Sequence, residues 1–444
     1  MKESLEEYIR FHSVNTPNKV AVVSNGKETS YSELWQLVLD KADELKSQGV
    51  QSGDVYVIRS SQTLEYLVIY FALHYLEAIV CPLEKDVSDQ RLSQIREEVA
   101  TLSLNPGVDS DILYTTGTTG LSKGVLVSRK AILSNGENLV EALGFTSDLV
   151  FVITGPINHS GNWSKVIPTM MVGATLYILE GMKDLNAFFD ALSYSESKSA
   201  CFLVPASIRM LLLLSKKRLE AIKDKIDFIE TGGAPISSAD MKSLSEALPD
   251  SRLYNTYASS ECGMICTYNF NDGIYKDACC GLPMKHAKFE IIDQKVVCKN
   301  GGQMTCYVNS PELTAEVLKD GKIYTNDLGQ IDEDGMLTIV GRDGDVINVG
   351  AMKVSPTEVE SVVLGYPSIA DCICIPKSNP VMGNVVRLLV VLKDGETLDK
   401  RSLIKYISSQ LETYKVPQAI DIVSSINRTY NGKLDRKSYL KQLN

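Results

Sequence analysis

Residues 114–125 read YTTGTTGLSKGV, three glycines and four threonines set between two apolar runs. Glycine leaves no Cβ in the way of backbone N–H groups that turn toward an anion, and each threonine adds a hydroxyl donor. Lys123 then supplies a full positive charge. Thr115, Thr116, Gly117, Thr118, Thr119, Gly120 and Lys123 thus form a candidate phosphate cradle. A Walker A loop needs Gly, four residues and then Gly-Lys-Ser/Thr; here Leu121 and Ser122 separate Gly120 from Lys123, which disfavours a P-loop kinase or ATPase. Taken alone, the same composition also suits a surface turn with no ligand.

Outward from the loop the chain alternates between the two periodicities. Residues 124–127 continue as a strand and Ser128 caps a helix that reaches 143. Strands over 149–153, 174–179, 201–204 and 226–231 then alternate with helices over 163–171, 206–214 and from 237 onward, an α/β lobe. Upstream, Ser30-Tyr31-Ser32-Glu33 is a capping box that opens a helix ending before Gly49. A strand over 55–58, a helix over 64–75, a strand over 78–81 and a helix over 87–100 make a first α/β lobe with a parallel sheet. From 281 to 340 short strands and turns such as Asp272-Gly273, just before it, and Asp334-Gly335 indicate a β-rich subdomain. The turn-rich run 341–345 has no packing residues and reads as the linker. It divides a large domain, 1–342, from a small α+β domain, 343–444, with helices over 356–364 and 399–411 and strands over 369–375 and 385–391.

Composition bounds the function. The chain has 444 residues, 44% apolar and 23% charged, as expected of a soluble protein with more than one core. A net charge of −10 with no Lys/Arg block argues against nucleic acid or an anionic membrane as partner. The start, MKESLEEYIRFH, has no apolar h-region, and no window approaches a membrane span. Ten scattered cysteines with only four histidines lack zinc spacing and read as buried free thiols of a reducing cytoplasm.

Further matches follow the glycine–threonine stretch in order. They are residues 156–161 (PINHSG), 230–235 (ETGGAP), 257–261 (YASSE), 325–329 (TNDLG), 341–342 (GR), 353–360 (KVSPTEVE) and 428–434 (RTYNGKL). Together with 114–125 and TPNKVAVV at 16–23, this series resembles the adenylate-forming superfamily of acyl-CoA synthetases, aryl-CoA ligases, luciferases and peptide-synthetase adenylation domains. Departures are Ser122 for Pro, Ala258 and Asn326 for Gly, Gly344 for the hinge Asp or Lys, and Ala351 for a Gly that lines the relatives' pantetheine tunnel. The phosphate loop also arrives early, which marks a shortened first lobe.

The resemblance implies roles that chemistry makes intelligible. Joining ATP to a carboxylate needs cations where the charge concentrates. Glu261 is the implied Mg²⁺ ligand, a hard cation that takes one or two carboxylates plus phosphate oxygens. Gly232, Gly233, Ala234, Pro235 and Tyr257 would take adenine, with Ser260 beside them. Asp327 would take the ribose hydroxyls, and Arg342 the ribose or phosphate. Lys433, with Glu261 and Thr118, would be catalytic, its ammonium lying between the α-phosphate and the attacking carboxylate and leaving when the small domain rotates. His159, Ser160, Trp163 and Gly232 would line the acid pocket. Each has an ordinary alternative: a turn glutamate at 261, core packing at Tyr257 and Trp163, a solvated lysine after Asn-Gly at 433. Amino-acid-activating relatives carry Asp where this chain has Ser160, so a fatty or aryl acid is expected rather than an α-amino acid. Three functions fit: synthesis of acyl-CoA from ATP, acid and CoA; acylation of the phosphopantetheine arm of an acyl carrier protein; and a degenerate, binding-only relative. Retention of Glu261, Asp327, Arg342 and Lys433 argues against the last.

Overall fold

The computed structural model describes residues 2–115, 123–158, 160–350, 352–429 and 432–440. The strands Asp109–Thr115 and Lys123–Ser128 flank the glycine–threonine stretch and pair antiparallel, with Thr115 opposite Lys123. A connection this short permits only that orientation, because a parallel return needs a crossover of a dozen residues or more. The first sheet therefore mixes directions where a parallel sheet was expected. Its order is Cys306–Tyr307, Lys123–Ser128, Asp109–Thr115, Ile79–Leu83 and Val55–Arg59, and only the pairings among the last three are parallel.

Strand alternation sends Ile79, Cys81, Ile112 and Leu126 to one face, against Leu92, Ile95 and Val99 of the helix Asp89–Ala100. Val80, Val125 and Val127 face the other way, into a core shared with the second sheet. The helix Leu64–Tyr75 lies in that shared core and is apolar nearly all round, as a helix covered on every side must be. The capping box is present: Ser30 Oγ accepts from Glu33 N, and Glu33 returns the bond to Ser30 N at 2.8 Å.

The second sheet is built around parallel strands in the order Arg252–Ser259, Ile226–Gly232, Ser199–Leu203, Val150–Ile153, Thr175–Ile178 and Val20–Ser24. Val20–Ser24 comes from the amino-terminal segment, so the opening of the chain completes the second lobe's sheet. Helices Leu185–Leu192, Pro205–Ala221 and Ser238–Ala247 close its outer face over a second core. The antiparallel region begins earlier than the sequence indicates, at the hairpin of Arg252–Ser259 and Gly263–Asn269, and it includes a helix, Pro311–Val317. Cys279–Pro283 joins it to the main sheet by pairing with both Gly263–Asn269 and Leu337–Arg342.

Gly341 and Arg342 are not linker. They end the strand Leu337–Arg342, with Arg342 opposite Asp327, and Gly341 is buried where a Cβ would sit 2.8 Å from Ser355 Oγ. The turn narrows to 343–346, held by Asp343 N to Asn326 O (2.8 Å) and Asp345 N to Arg342 O (2.9 Å). Gly344 is exposed and its φ lies outside the left-handed region. Beyond it, Met352–Val354, Ile347–Val349, Gly383–Leu392 and Ile369–Asn379 form the small sheet, with Ala419–Ile422 parallel to Gly383–Leu392. Helices Pro356–Leu364 and Lys400–Ser408 pack on it around a separate core. Nine of the ten cysteines are buried, and all ten are free.

Candidate active site

In a parallel sheet, ligands gather at the carboxyl ends of the strands. Gly232 ends Ile226–Gly232, and across the same edge Thr256 and Tyr257 approach the end of Arg252–Ser259. Only glycine fits at 232, since a Cβ there would stand 2.5 Å from Thr256 O. Gly233 follows with φ +77°, and Ala234 and Pro235 carry the chain away toward the helix at Ser238.

Three neighbouring segments bring charge to this edge. Tyr257 donates its hydroxyl to Asp327 Oδ2 at 2.7 Å, and Arg342 Nε stands 3.6 Å from Asp327 Oδ1, as the register of their strands requires. Burial, then Asp327, holds the Tyr257 phenol well above its usual range. Glu261 sits in the hairpin turn with Ser260, and its Oε1 accepts from Tyr307 Oη at 2.8 Å. Lys123 Nζ lies 5.2 Å from the centroid of the Tyr307 ring. The end of the glycine–threonine stretch and the candidate metal carboxylate are thus tied through one tyrosine. Tyr307 stands on a two-residue strand far along the chain from Glu261, and nothing in its sequence surroundings marks it.

Lys433 enters from the small domain. A Cβ at Gly233 would lie 3.6 Å from Lys433 Cε, so the lysine stem passes over the glycine turn. The turn bearing it is held by Thr429 N to Lys433 O (2.8 Å) and by Arg428 Nη1 to Gly432 O (3.0 Å). Lys433 keeps an exposed surface although neighbouring protein atoms crowd it. That crowding, and then Arg342, draws its ammonium below the ordinary lysine range, opposed by Asp327 and Glu261. Arg428 Nη2 bonds Asp371 Oδ2 at 2.7 Å, and Asp371 Oδ1 stands 3.8 Å from Arg209 Nη1 of the large domain, itself paired with Asp240. Val204, Pro235, Arg209, Asp371, Arg428 and Lys433 line one cavity between the two domains. Sequence reading missed Arg209 and Asp371, which carry no motif.

Ser160 opens the helix Ser160–Val172. Trp163 is 5% exposed and meets the Tyr70 ring at a 53° tilt with centroids 4.1 Å apart, which makes it a member of the core between the sheets. Thr115 is described in backbone only; Thr116, Gly117, Thr118, Thr119, Gly120 and His159, like Ser122 and Ala351, lie outside the described residues. Among the described residues no cluster of three His, Cys, Asp or Glu could hold a metal, so any metal here would lean on Glu261 and on its ligand's own oxygens. Cations from two domains, two carboxylates and a glycine turn are the groups that suit a polyanion and its counter-ion.

Known proteins share the fold and sequence pattern of the chain. The family described as AMP-binding enzyme matches residues 10–101 and 110–314, and its C-terminal domain matches 358–433. Indoleacetate–CoA ligase of Aromatoleum aromaticum is 25% identical, covering 99% of this chain and 98% of its own. Feruloyl-CoA synthase of an Amycolatopsis species is 25% identical over 94% of this chain and 95% of its own. ATP-bound MatB from Rhodopseudomonas palustris superposes with a TM-score of 0.87 at 24% identity, covering 100% of this chain and 99% of that one. With the large-domain and small-domain patterns both matched in order, and Lys433 brought from the second onto the glycine turn of the first, this chain belongs to the AMP-binding enzyme family.

Proposed function

We propose that the chain is an AMP-forming acid–CoA ligase. A carboxylate oxygen attacks the α-phosphorus of ATP, the bond to pyrophosphate breaks, and acyl-AMP forms. The thiol of CoA then attacks the acyl carbonyl and AMP leaves with the bonding pair. The observation that carries this is Lys433 lying over Gly233 within the fields of Arg342, Asp327 and Glu261, a cation that would stabilise the negative charge gathering on the pentavalent phosphorus. Tyr257 and the 232–235 turn border the adenine, Asp327 accepts from the ribose, and Thr116–Gly120 with Lys123 cradle the outer phosphates. Glu261, fixed by Tyr307 and with Oε2 accepting no hydrogen bond among the described residues, fits a single-carboxylate Mg²⁺ site. When bound, Mg²⁺ neutralises the phosphate charge that would repel the acid. CoA as acceptor is supported by the relatives' names, indoleacetate–CoA ligase and feruloyl-CoA synthase.

The small domain, from 343 onward, turns about 343–346 between the two steps, since Lys433 serves only the first. Among the described residues no helix is long and apolar enough to cross a membrane, and free thiols suit the reducing cytoplasm where ATP and CoA are found. ATP–pyrophosphate exchange across a panel of carboxylic acids tests the first step, and trapping with CoA or with a holo-carrier protein tests the second. Acid-dependent exchange and a CoA thioester are expected. Absence of exchange with every acid would refute the proposal.

A further inference from the structure

The turn that carries Glu261 is clamped by asparagines that none of the roles above uses. Asn138 is 0% exposed and Asn300 5%, and a buried amide must find partners for its donors and its acceptor. Asn300 Nδ2 donates to Cys262 O and Met264 O, both at 2.9 Å, and Asn138 Nδ2 donates to Met264 O at 3.1 Å. Asn138 Oδ1 accepts from His286 N at 2.8 Å. Asn135, on the same helix Arg129–Leu143, accepts from Met264 N at 2.9 Å and donates to Gly302 O at 3.0 Å. Gly263 completes the fit: its φ is +71°, and a Cβ there would stand 2.5 Å from Asn135 Oδ1. The three residues after Glu261 are therefore held both to this helix and to the segment at 300–302.

That segment continues to the strand leaving the glycine–threonine stretch. Met304 N donates to Glu261 O at 2.8 Å, and directly after it Thr305 N donates to Leu126 O (2.8 Å) and Val308 N to Gly124 O (2.9 Å). Strand alternation sends Cys306 to the outer core of the first sheet and Tyr307 to the opposite face. The Tyr307 side chain therefore spans the same gap as its backbone, with its hydroxyl 2.8 Å from Glu261 Oε1 and its ring centroid 5.2 Å from Lys123 Nζ. Burial, then Glu261, holds the phenol above its usual range, so it stays a donor.

We propose that Tyr307, backed by Asn135, is a positioning residue that locks the Glu261 carboxylate to Lys123 of the phosphate loop, so that the divalent cation and the nucleotide phosphates are gripped as one unit. This rests on the adenylation reaction proposed above. A metal-binding carboxylate is oriented by its own hydrogen-bond partner, and loss of such a partner costs about 10–100-fold in metal affinity or activity. The ring adds a smaller cation–π contribution at Lys123. The two ends of Tyr307 are chemically distinct, so substitution separates them.

The test is calorimetric titration of the full chain with ATP, once with Mg²⁺ and once with EDTA; the ratio of the two Kd values is the gain from the metal. Tyr307→Phe removes the hydroxyl and keeps the ring. It should cut the gain about tenfold while the metal-free Kd stays within about twofold of wild type. Tyr307→Leu should in addition raise the metal-free Kd about threefold, because Lys123 loses the ring. Asn135→Ala keeps both ends of Tyr307 but loosens the turn, and should cut the gain about threefold. Equal weakening with and without metal in Tyr307→Phe would show a merely structural role and overturn the inference, as would an unchanged gain. A wild type that binds ATP equally well in Mg²⁺ and EDTA would refute the metal role of Glu261, and one that binds no ATP at all would refute the adenylation reading itself.

Discussion

Replacing Lys433 with alanine separates the two half-reactions. The side chain lies over Gly233 and feels the charges of Arg342, Asp327 and Glu261. A preorganised group of this kind, aimed at charge that develops in the transition state, is worth ~3–4 kcal/mol. Each ~1.4 kcal/mol is a factor of ten in rate, so acyl-AMP formation should fall by about 10²–10³-fold. Folding should not suffer. The bond that anchors the turn, Thr429 N to Lys433 O, is a backbone bond that alanine keeps, and burial together with Arg342 already disfavours the ammonium in the free enzyme. Tm should stay within about 2 °C of wild type.

The charged lysine is the active form. Because its folded pKa is lowered, kcat/KM for acyl-AMP formation should decline as pH rises through that lowered value, short of the ordinary lysine range. The alkaline limb should vanish in Lys433→Ala. Given synthetic acyl-AMP and CoA, the variant should transfer the acyl group at nearly the wild-type rate. The assays are pyrophosphate exchange for the first step and thioester formation from acyl-AMP for the second. Equal loss in both steps by a well-folded variant would mean one fixed site and would end the case for a domain rotation.

Glu261→Gln keeps the shape and the Tyr307 bond but removes the charge, so activity should fall and half-saturation by Mg²⁺ should rise; wild-type rates at limiting Mg²⁺ would remove Glu261 from the metal site. Arg209→Ala cuts the large domain's link to Asp371 and hence to the Arg428 that braces Gly432. It should slow acyl-AMP formation about fivefold, the worth of a ~1 kcal/mol pair, and spare transfer from supplied acyl-AMP. His74 is fully enclosed, 3.4 Å from both Glu6 and Asp111; burial alone would lower its pKa, but the two carboxylates outweigh burial and raise it to about 9. A raised folded pKa gives stability that is complete below the unfolded histidine value and lost as pH rises toward 9. Denaturant midpoints should therefore fall across that window in the wild type and flatten in His74→Gln; an unchanged slope would show that His74 does not titrate there.

Residue chemistry by itself settled what is local or what repeats a known order. The capping box at Ser30, the alternation of strand and helix, and the helices at 64–75 and 356–364 follow from periodicity and caps, which act within a few residues. The motifs at 230–235, 257–261, 325–329 and 428–434 were legible because their small and charged residues stand out from a packing pattern. Nothing local could reveal that Val20–Ser24 completes the second sheet, or that Gly341 and Arg342 belong to a strand. Strand pairing depends on what lies alongside in space, and a glycine pressed against Ser355 reads in sequence as a free turn. The partners of the site residues were hidden for the same reason. Tyr307 reaches Glu261, Arg209 reaches Asp371, and Asn135 reaches Met264 only after folding. A charged residue's role is set by the field and burial around it, and those exist only once distant segments have packed together.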